Sequence, residues 1–303
     1  MQALLGWLGV GFGHLLAALP LGASRALGRA AAWVAYWTIP RVRRVGMANL
    51  DLAYGDGLSR AEKRRILRAA TRNVGIVMAE LFQIPRIFPH RAEALVTIEG
   101  AENIDSSRGC LAIGAHFGNW EWLAPVWAHH GQKTAEVVRP LDNPRLNAFV
   151  DKVRRASGIV TVPKHHAAAE VKRLLEQGYL VGILADQNVR DRAVPVTFFG
   201  RRTWATIGPV LLARRTGVPV HTLSIHRQPD GTYIERFSPE IPMVHTGDRL
   251  RDLVENTQRL QDAIESVVRE QPDQWLWLHR RWRPRERLDR EWAERLARQV
   301  SEK

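Results

Sequence analysis

His116 and Glu121 stand five positions apart in the stretch Gly114-Ala115-His116-Phe117-Gly118-Asn119-Trp120-Glu121-Trp122. A histidine and a carboxylate at that spacing can do general-base chemistry. The neutral imidazole takes a proton from a hydroxyl, while the carboxylate fixes its tautomer and stabilises the imidazolium that forms. Gly118 allows close backbone approach beside the histidine, Trp120 and Trp122 supply apolar walls, and backbone N–H groups from Gly118 to Trp120 are candidates to hold an oxyanion. A His-x-x-x-x-Glu pair alone arises by chance in many chains, so the elements that hold it decide its meaning.

The apolar run Cys110–Ala115 predicts a buried strand, and Asn119 suits the N-cap of a helix over 119–130. His116 then lies in a strand-to-helix turn, with Glu121 in the first helical turn. Further apolar runs predict strands at 95–98, 135–138, 159–162, 179–184, 218–224 and 233–237. Helical patterns fall between them at 144–157, 167–177, 206–216 and 250–269. This alternation predicts an α/β fold with a mostly parallel central sheet flanked by helices, whose sites lie beyond the carboxyl ends of strands. Asp186, after the run Tyr179–Ala185, is placed at such an end, as is His116. Ser59 and Glu62 form a capping box for a long amphipathic helix running to Leu81, with Arg60, Lys63, Arg64, Arg65 and Arg68 on its solvated face.

The 303 residues carry a formal net charge of +13. Such a balance implies an anionic partner: nucleic acid, an anionic membrane surface, a phosphorylated substrate or an acidic carrier protein. The single cysteine, Cys110, excludes disulfides within the chain, and its apolar neighbours argue against a thiol nucleophile. There is no Cys/His cluster with zinc spacing, His165 and His166 being adjacent, so no metal and no cofactor are expected. The absence of a Gly-x-Ser-x-Gly elbow argues against a serine hydrolase.

From Ala3 to Ala23 no residue is charged, a length near the roughly 20 residues a bilayer-crossing helix needs. Gly6, Gly9, Gly11, Gly13, His14 and Pro20 dilute the run, so a helix lying in the membrane interface competes with a span. Leu21-Gly22-Ala23 resembles a signal-cleavage site, but Met1-Gln2 offers no basic region before it. Arg25 and Arg29 follow, then Trp33, Tyr36 and Trp37, then Arg41, Arg43 and Arg44. Positive flanks stay in the cytoplasm, so if the first segment spans, the rest of the chain lies on that face. The organisation expected is a membrane anchor or interfacial segment over 1–40 and a catalytic domain over 41–303.

Taken alone, Asp186 is as much a turn residue as a functional one. The ordered set GAHFGNWE, VVRPLDNPRLN (137–147), GILADQN (182–188), FFGRRTWATIGPVLLARRTGVPV and QWLWLHRRWRPR (274–285) resembles the bacterial late acyltransferases of lipid A biosynthesis. These belong to the wider lysophospholipid acyltransferase group, whose signature is His-x-x-x-x-Asp/Glu. The resemblance covers nearly the whole chain. It implies transfer of a fatty acyl group from acyl carrier protein to the hydroxyl of a 3-hydroxyacyl chain on a phosphorylated glucosamine disaccharide, at the cytoplasmic face of the inner membrane. His116 would be the base, Glu121 its partner, and Asp186 would be the family's aspartate beside Gln187. The chain departs from the family where proline is common, at Ala185, and where a second acid is frequent, at Asn188. The same group includes acyltransferases of phosphoinositol mannosides, so the acceptor stays open. The implied partners are acyl carrier protein, a membrane lipid acceptor and an anionic membrane surface, with no nucleic acid.

For the substrate phosphate the candidates are Arg154 and Arg139. On a helix starting at Asn143-Pro144, the stripe Leu146, Phe149, Val150 and Val153 is buried, Arg154 borders it and Arg155 points away. Arg139 emerges from a strand end, and Asn119 adds a polar group beside the dyad. Trp275, Trp277 and His279 alternate as a strand with one apolar face would, though the aromatic and basic mixture also suits stacking on nucleic acid. Two other classes of function remain: a non-enzymatic basic membrane-binding protein, and a hydrolase using the same dyad.

Overall fold

The computed structural model describes residues 2–88, 90–165 and 167–301. In chain order the helices are α1 (Gln2–Ala18), α2 (Leu21–Thr38), α3 (Pro40–Tyr54), α4 (Arg60–Leu81), α5 (Ile84–Ile87), α6 (Ala92–Leu95), α7 (Leu123–His129), α8 (Pro144–Arg155), α9 (Ala167–Glu176), α10 (Gly208–Thr216), α11 (Arg249–Glu270) and α12 (Glu286–Ser301). The strands are β1 (Val96–Glu99), β2 (Cys110–Gly114), β3 (Thr134–Val138), β4 (Val160–Pro163), β5 (Leu180–Leu184), β6 (Ala193–Phe198), β7 (Arg201–Thr206), β8 (Val220–Arg227) and β9 (Tyr233–Phe237).

The strands predicted from apolar runs are the members of one sheet, ordered β1-β9-β8-β2-β5-β3-β4. Every pairing is parallel except β8 with β9. β2 shows why its sequence is apolar throughout. Leu111 and Ile113 enter the core on one face, Cys110 and Ala112 the core on the other, and none is more than 2% exposed. A parallel strand covered by helices on both sides has no polar face to offer. Burial also pushes the Cys110 thiol up to about 12, which leaves it a core residue.

Register brings the site together. β2 pairs with β5 so that Gly114 lies opposite Leu184, and the Ala185 N–H donates to the Gly114 carbonyl at 3.0 Å. His116 and Asp186 are each two residues past that pair. Side chains alternate along a strand, so both point to the same side of the sheet at its carboxyl edge.

Several predicted boundaries move. The helix expected over 119–130 is α7, beginning at Leu123, because the Asn119 side chain is drawn away from capping to Glu80, to whose carboxylate its Nδ2 donates at 2.8 Å. The Ser59 and Glu62 box forms as predicted, each side chain bonding the other's backbone N–H. Of the basic residues on α4, Arg60, Arg64, Arg65 and Arg68 are exposed, but Lys63 is buried and donates to Asp51 at 2.8 Å and to the Gly55 carbonyl at 2.6 Å. Trp275 to His279 is not a strand. Trp275 makes one bridge with Phe117, and the segment then turns, burying Trp275 and Trp277 in the core.

The amino-terminal apolar run does not form one span. Pro20 stands between α1 and α2, and no described helix is long and apolar enough to cross a membrane. At 1.5 Å per residue the 17 residues of α1 fall short of a hydrocarbon core of about 30 Å. The glycines that dilute the run have a packing use. Gly6, Gly9 and Gly13 face Asn143, Leu146 and Phe149 of the α8 region, and Gly28 of α2 meets Gly75 of α4 backbone to backbone. The opposite faces leave Leu4, Leu5, Trp7, Leu8, Phe12, Leu15, Trp33 and Trp37 exposed.

Candidate active site

Where the chain leaves β2, Gly118 adopts φ +59, and a Cβ there would overlap the Ile225 carbonyl, so only glycine fits. The Gly118 N–H donates to the Gln274 carbonyl at 3.1 Å and its own carbonyl accepts from Asn73 Nδ2 at 2.8 Å. That N–H is therefore spent within the fold and is not an oxyanion donor. The Leu276 N–H donates to the His116 carbonyl at 2.9 Å, which ties the turn to the segment holding Trp275.

The carboxylate bonded to His116 is that of Asp186. His116 Nδ1 lies 2.8 Å from Asp186 Oδ1, and the His116 backbone N–H donates to Oδ2 at 3.0 Å. The indole N–H of Trp275 donates to the same Oδ2 at 2.8 Å. Burial works to raise the Asp186 pKa, but the His116 charge and these three hydrogen bonds outweigh it and hold the carboxyl down at about 2. An ionised Asp186 can only accept, so Nδ1 carries the hydrogen and Nε2 is left as the basic nitrogen. Burial works against the imidazolium as well, yet the Asp186 carboxylate raises His116 above the ordinary histidine value. The His116 side chain is 22% exposed and so remains reachable. Gln187 Nε2 lies 3.4 Å from both ring nitrogens, against the ring, and the Trp120 ring centroid is 5.5 Å away.

Glu121 faces elsewhere. Its two oxygens take a bidentate pair from Arg154, Nε to Oε2 and Nη2 to Oε1, both at 2.9 Å, and Oε1 also accepts from the Trp120 indole at 3.2 Å. This differs from the expectation that Glu121 orients the imidazole. The reason is register: the turn between β2 and α7 carries Glu121 toward α8, while the neighbouring strand end presents Asp186 to the ring. Arg154 borders the buried stripe of α8 as its periodicity predicts, at 18% exposure, whereas Arg155 is 53% exposed and pairs with Asp151. A third carboxylate, Glu136 on β3, comes within 3.6 Å of Arg154 Nε. Burial, with the Glu121 charge adding to it, raises Glu136 to about 7 despite Arg154. Arg139 stands apart, 77% exposed and 3.5 Å from Asp142. No group of three metal-ligating residues converges among the described residues, and His166 lies outside them.

The family model of the bacterial lipid A biosynthesis acyltransferases matches residues 1–284. The chain belongs to that family. It is 26% identical over 289 residues to the lipid A biosynthesis lauroyltransferase of Escherichia coli (strain K12), covering 92% of this chain and 91% of that one. It is 24% identical over 286 residues to the lipid A biosynthesis palmitoleoyltransferase of the same organism, with the same coverage. A phosphatidylinositol mannoside acyltransferase of Mycolicibacterium smegmatis is 23% identical over 227 residues, 72% of each chain. The solved 1-acyl-sn-glycerophosphate acyltransferase of Thermotoga maritima aligns with 91% of this chain and all of its own at 15% identity, with a TM-score of 0.37.

Three contributors to this candidate site escape a reading of the sequence. Trp275 bonds Asp186 from 89 positions away, and its signal was only that a tryptophan buried in a core must find an acceptor for its N–H. Glu136 lies in a strand whose register with Gly182 brings it beside β5. Glu80 holds the turn from behind through Asn119. The departure at Asn188 acquires a reason here. Its Nδ2 donates to the carbonyls of Arg281 and Arg283 at 2.9 and 3.1 Å, which an ionised acid could not do.

Proposed function

We propose that this acyltransferase moves a fatty acyl group from acyl carrier protein to a hydroxyl of a lipid A precursor, with no covalent enzyme intermediate. The observation that carries the reading is the His116 ring, its Nδ1 committed to Asp186 and its Nε2 left to act as base. Nε2 takes the acceptor's hydroxyl proton as that oxygen bonds to the thioester carbonyl carbon. The C–S bond then breaks, and the departing thiolate receives the proton from the imidazolium. Asp186 stabilises the charged ring, and the Gln187 amide, 3.4 Å from Nε2, borders the position of an incoming hydroxyl. Glu121 acts on Arg154, fixing a guanidinium on the α8 side of the turn. The names of the lauroyl and palmitoleoyl transferases support the acceptor, while the mannoside acyltransferases favour a second reading with a phosphoinositol mannoside acceptor.

In this reading α1 and α2 lie in the cytoplasmic interface of the inner membrane, with Leu4, Trp7, Leu8, Phe12, Trp33 and Trp37 turned toward lipid. α1 rests on α8, the helix that carries Arg154, so a lipid acceptor arriving along the membrane reaches the site beside its docking helix. The +13 charge favours both anionic lipid and an acidic carrier. The test supplies the full chain in vesicles with a series of acyl carrier protein thioesters and both classes of acceptor, and identifies products by mass. An acylated lipid A precursor from the wild type and none from His116→Ala is expected. Acylation of the mannoside lipid alone would move the acceptor, and no acylated lipid from any pair would end the reading.

A further inference from the structure

Beyond the buried Arg281 the chain gathers arginines on one side of the Asp186 loop. Arg190, Arg283, Arg285 and Arg287 line an open groove of about 430 Å³ in which Glu286 is the single acid. Arg287 is balanced by Glu291 at 3.1 Å, and its Nη2 donates to the Arg190 carbonyl at 2.6 Å. Arg285 donates through Nε to Asn188 Oδ1, a neutral partner. Among the described residues Arg190, Arg283 and Arg285 form no ion pair. Their backbones are anchored to one another: Asn188 holds the Arg283 carbonyl and the Arg285 guanidinium, and Arg287 holds the Arg190 carbonyl, so the side chains rise from one frame with Arg285 fixed in it. Burial, then the charges of Arg283 and Arg190, lower the Arg285 pKa.

We infer that this groove binds a phosphate group belonging to one of the two reaction partners. Guanidinium forks match phosphate oxygens two at a time, and an anion would gather the unpaired Arg190 and Arg283 side chains around the fixed Arg285. The groove is tied to the reaction centre through Asn188, two residues past Asp186, whose Oδ1 holds the Arg285 guanidinium. Which partner brings the phosphate rests on the acyl-transfer reading; that the groove takes phosphate does not. The phosphate is either the lipid acceptor's or that of the carrier's pantetheine arm.

The first arm is independent of turnover: pyrophosphate is titrated calorimetrically into the full chain and into Arg190→Gln, Arg283→Gln and, as a charge-matched control outside the groove, Arg215→Gln. Each groove variant should bind about tenfold more weakly, the loss of one charge-assisted contact, and the control as the wild type does. Equal binding by all four, or a control as weak as the groove variants, would overturn the site. The second arm compares phosphorylated with dephosphorylated acceptor under turnover. A preference for the phosphorylated lipid that falls about tenfold in each groove variant gives the phosphate to the acceptor. A KM for the carrier thioester that rises by that factor instead gives it to the donor. Neither change would remove the groove from the reaction, whatever the wild type's rate.

Discussion

Two buried carboxylates, Glu80 and Asp186, each gather partners from distant parts of the chain, and what is left over differs. Glu80 on α4 is wholly buried and closed. Oε1 accepts from Arg25 at 2.6 Å and Arg227 at 3.0 Å, and Oε2 from Arg227 at 2.9 Å, Asn119 at 2.8 Å and the Tyr233 hydroxyl at 2.5 Å. Nothing in that network can take up a substrate proton, and its effect is to fasten α2, α4, β8, β9 and the His116 turn to one another. Asp186 is equally buried, but its chain of bonds ends in an imidazole that is 22% exposed and keeps one nitrogen. A closed charge network serves structure, and the open valence at the rim of the other is what the proposed mechanism uses.

That contrast can be broken from either end. The largest effect should come from His116→Ala, which removes the open valence: acyl transfer should fall about ten-thousandfold, and at a pH above the raised His116 pKa, where the pair no longer adds stability, the unfolding temperature should stay near that of the wild type. Asp186→Asn keeps the volume but not the charge, and should cost roughly a thousandfold in kcat with a smaller change in KM. Glu80→Gln should do the reverse. Two buried arginines lose their counter-charge, so denaturant unfolding should show a loss of about 3 kcal/mol, while the folded fraction turns over at close to the normal rate. The smallest effect belongs to Glu121→Gln and Arg154→Gln, each expected to lower kcat/KM about tenfold. The double variant should be little worse than either alone, because the two residues act as one pair.

The centre of the sheet was legible because β2 and β5 are short apolar runs bounded by polar turns, the composition that parallel strands covered on both faces require, while β9 alternates buried and half-buried residues. The pairing of His116 with Asp186 was half legible. Both residues fall at strand ends in the sequence, but adjacency depends on β5 inserting between β2 and β3, which no local pattern encodes. Glu121, close in sequence, looked like the natural partner and is turned to α8 by the geometry of the turn. The β6–β7 hairpin gave no signal at all. Its turn places Phe199 at φ 51 and Gly200 at φ 68, where asparagine or aspartate would normally stand before the glycine. Phe199 holds that conformation because its ring is buried against Tyr54 and Trp277 and its N–H donates to Glu265. Glu80 was hidden for the same reason: Arg227 is 147 positions away.

In the proposed mechanism Asp186, and not Glu121, sets the state of the His116 ring. Nitrogen-15 NMR of the imidazoles, with His116 assigned by its loss in His116→Gln, measures this directly as pH is varied. An Nδ1–H tautomer is expected in the neutral ring, with a pKa above the ordinary value of about 6.5. The ring then becomes a base as pH rises through that raised value, and the stability contributed by the charged pair, fully present below about 6.5, is lost over the same rise. In Asp186→Asn the His116 pKa should fall, and by more than in Glu121→Gln. An Nε2–H tautomer, or a pKa that moves more in Glu121→Gln than in Asp186→Asn, would contradict it.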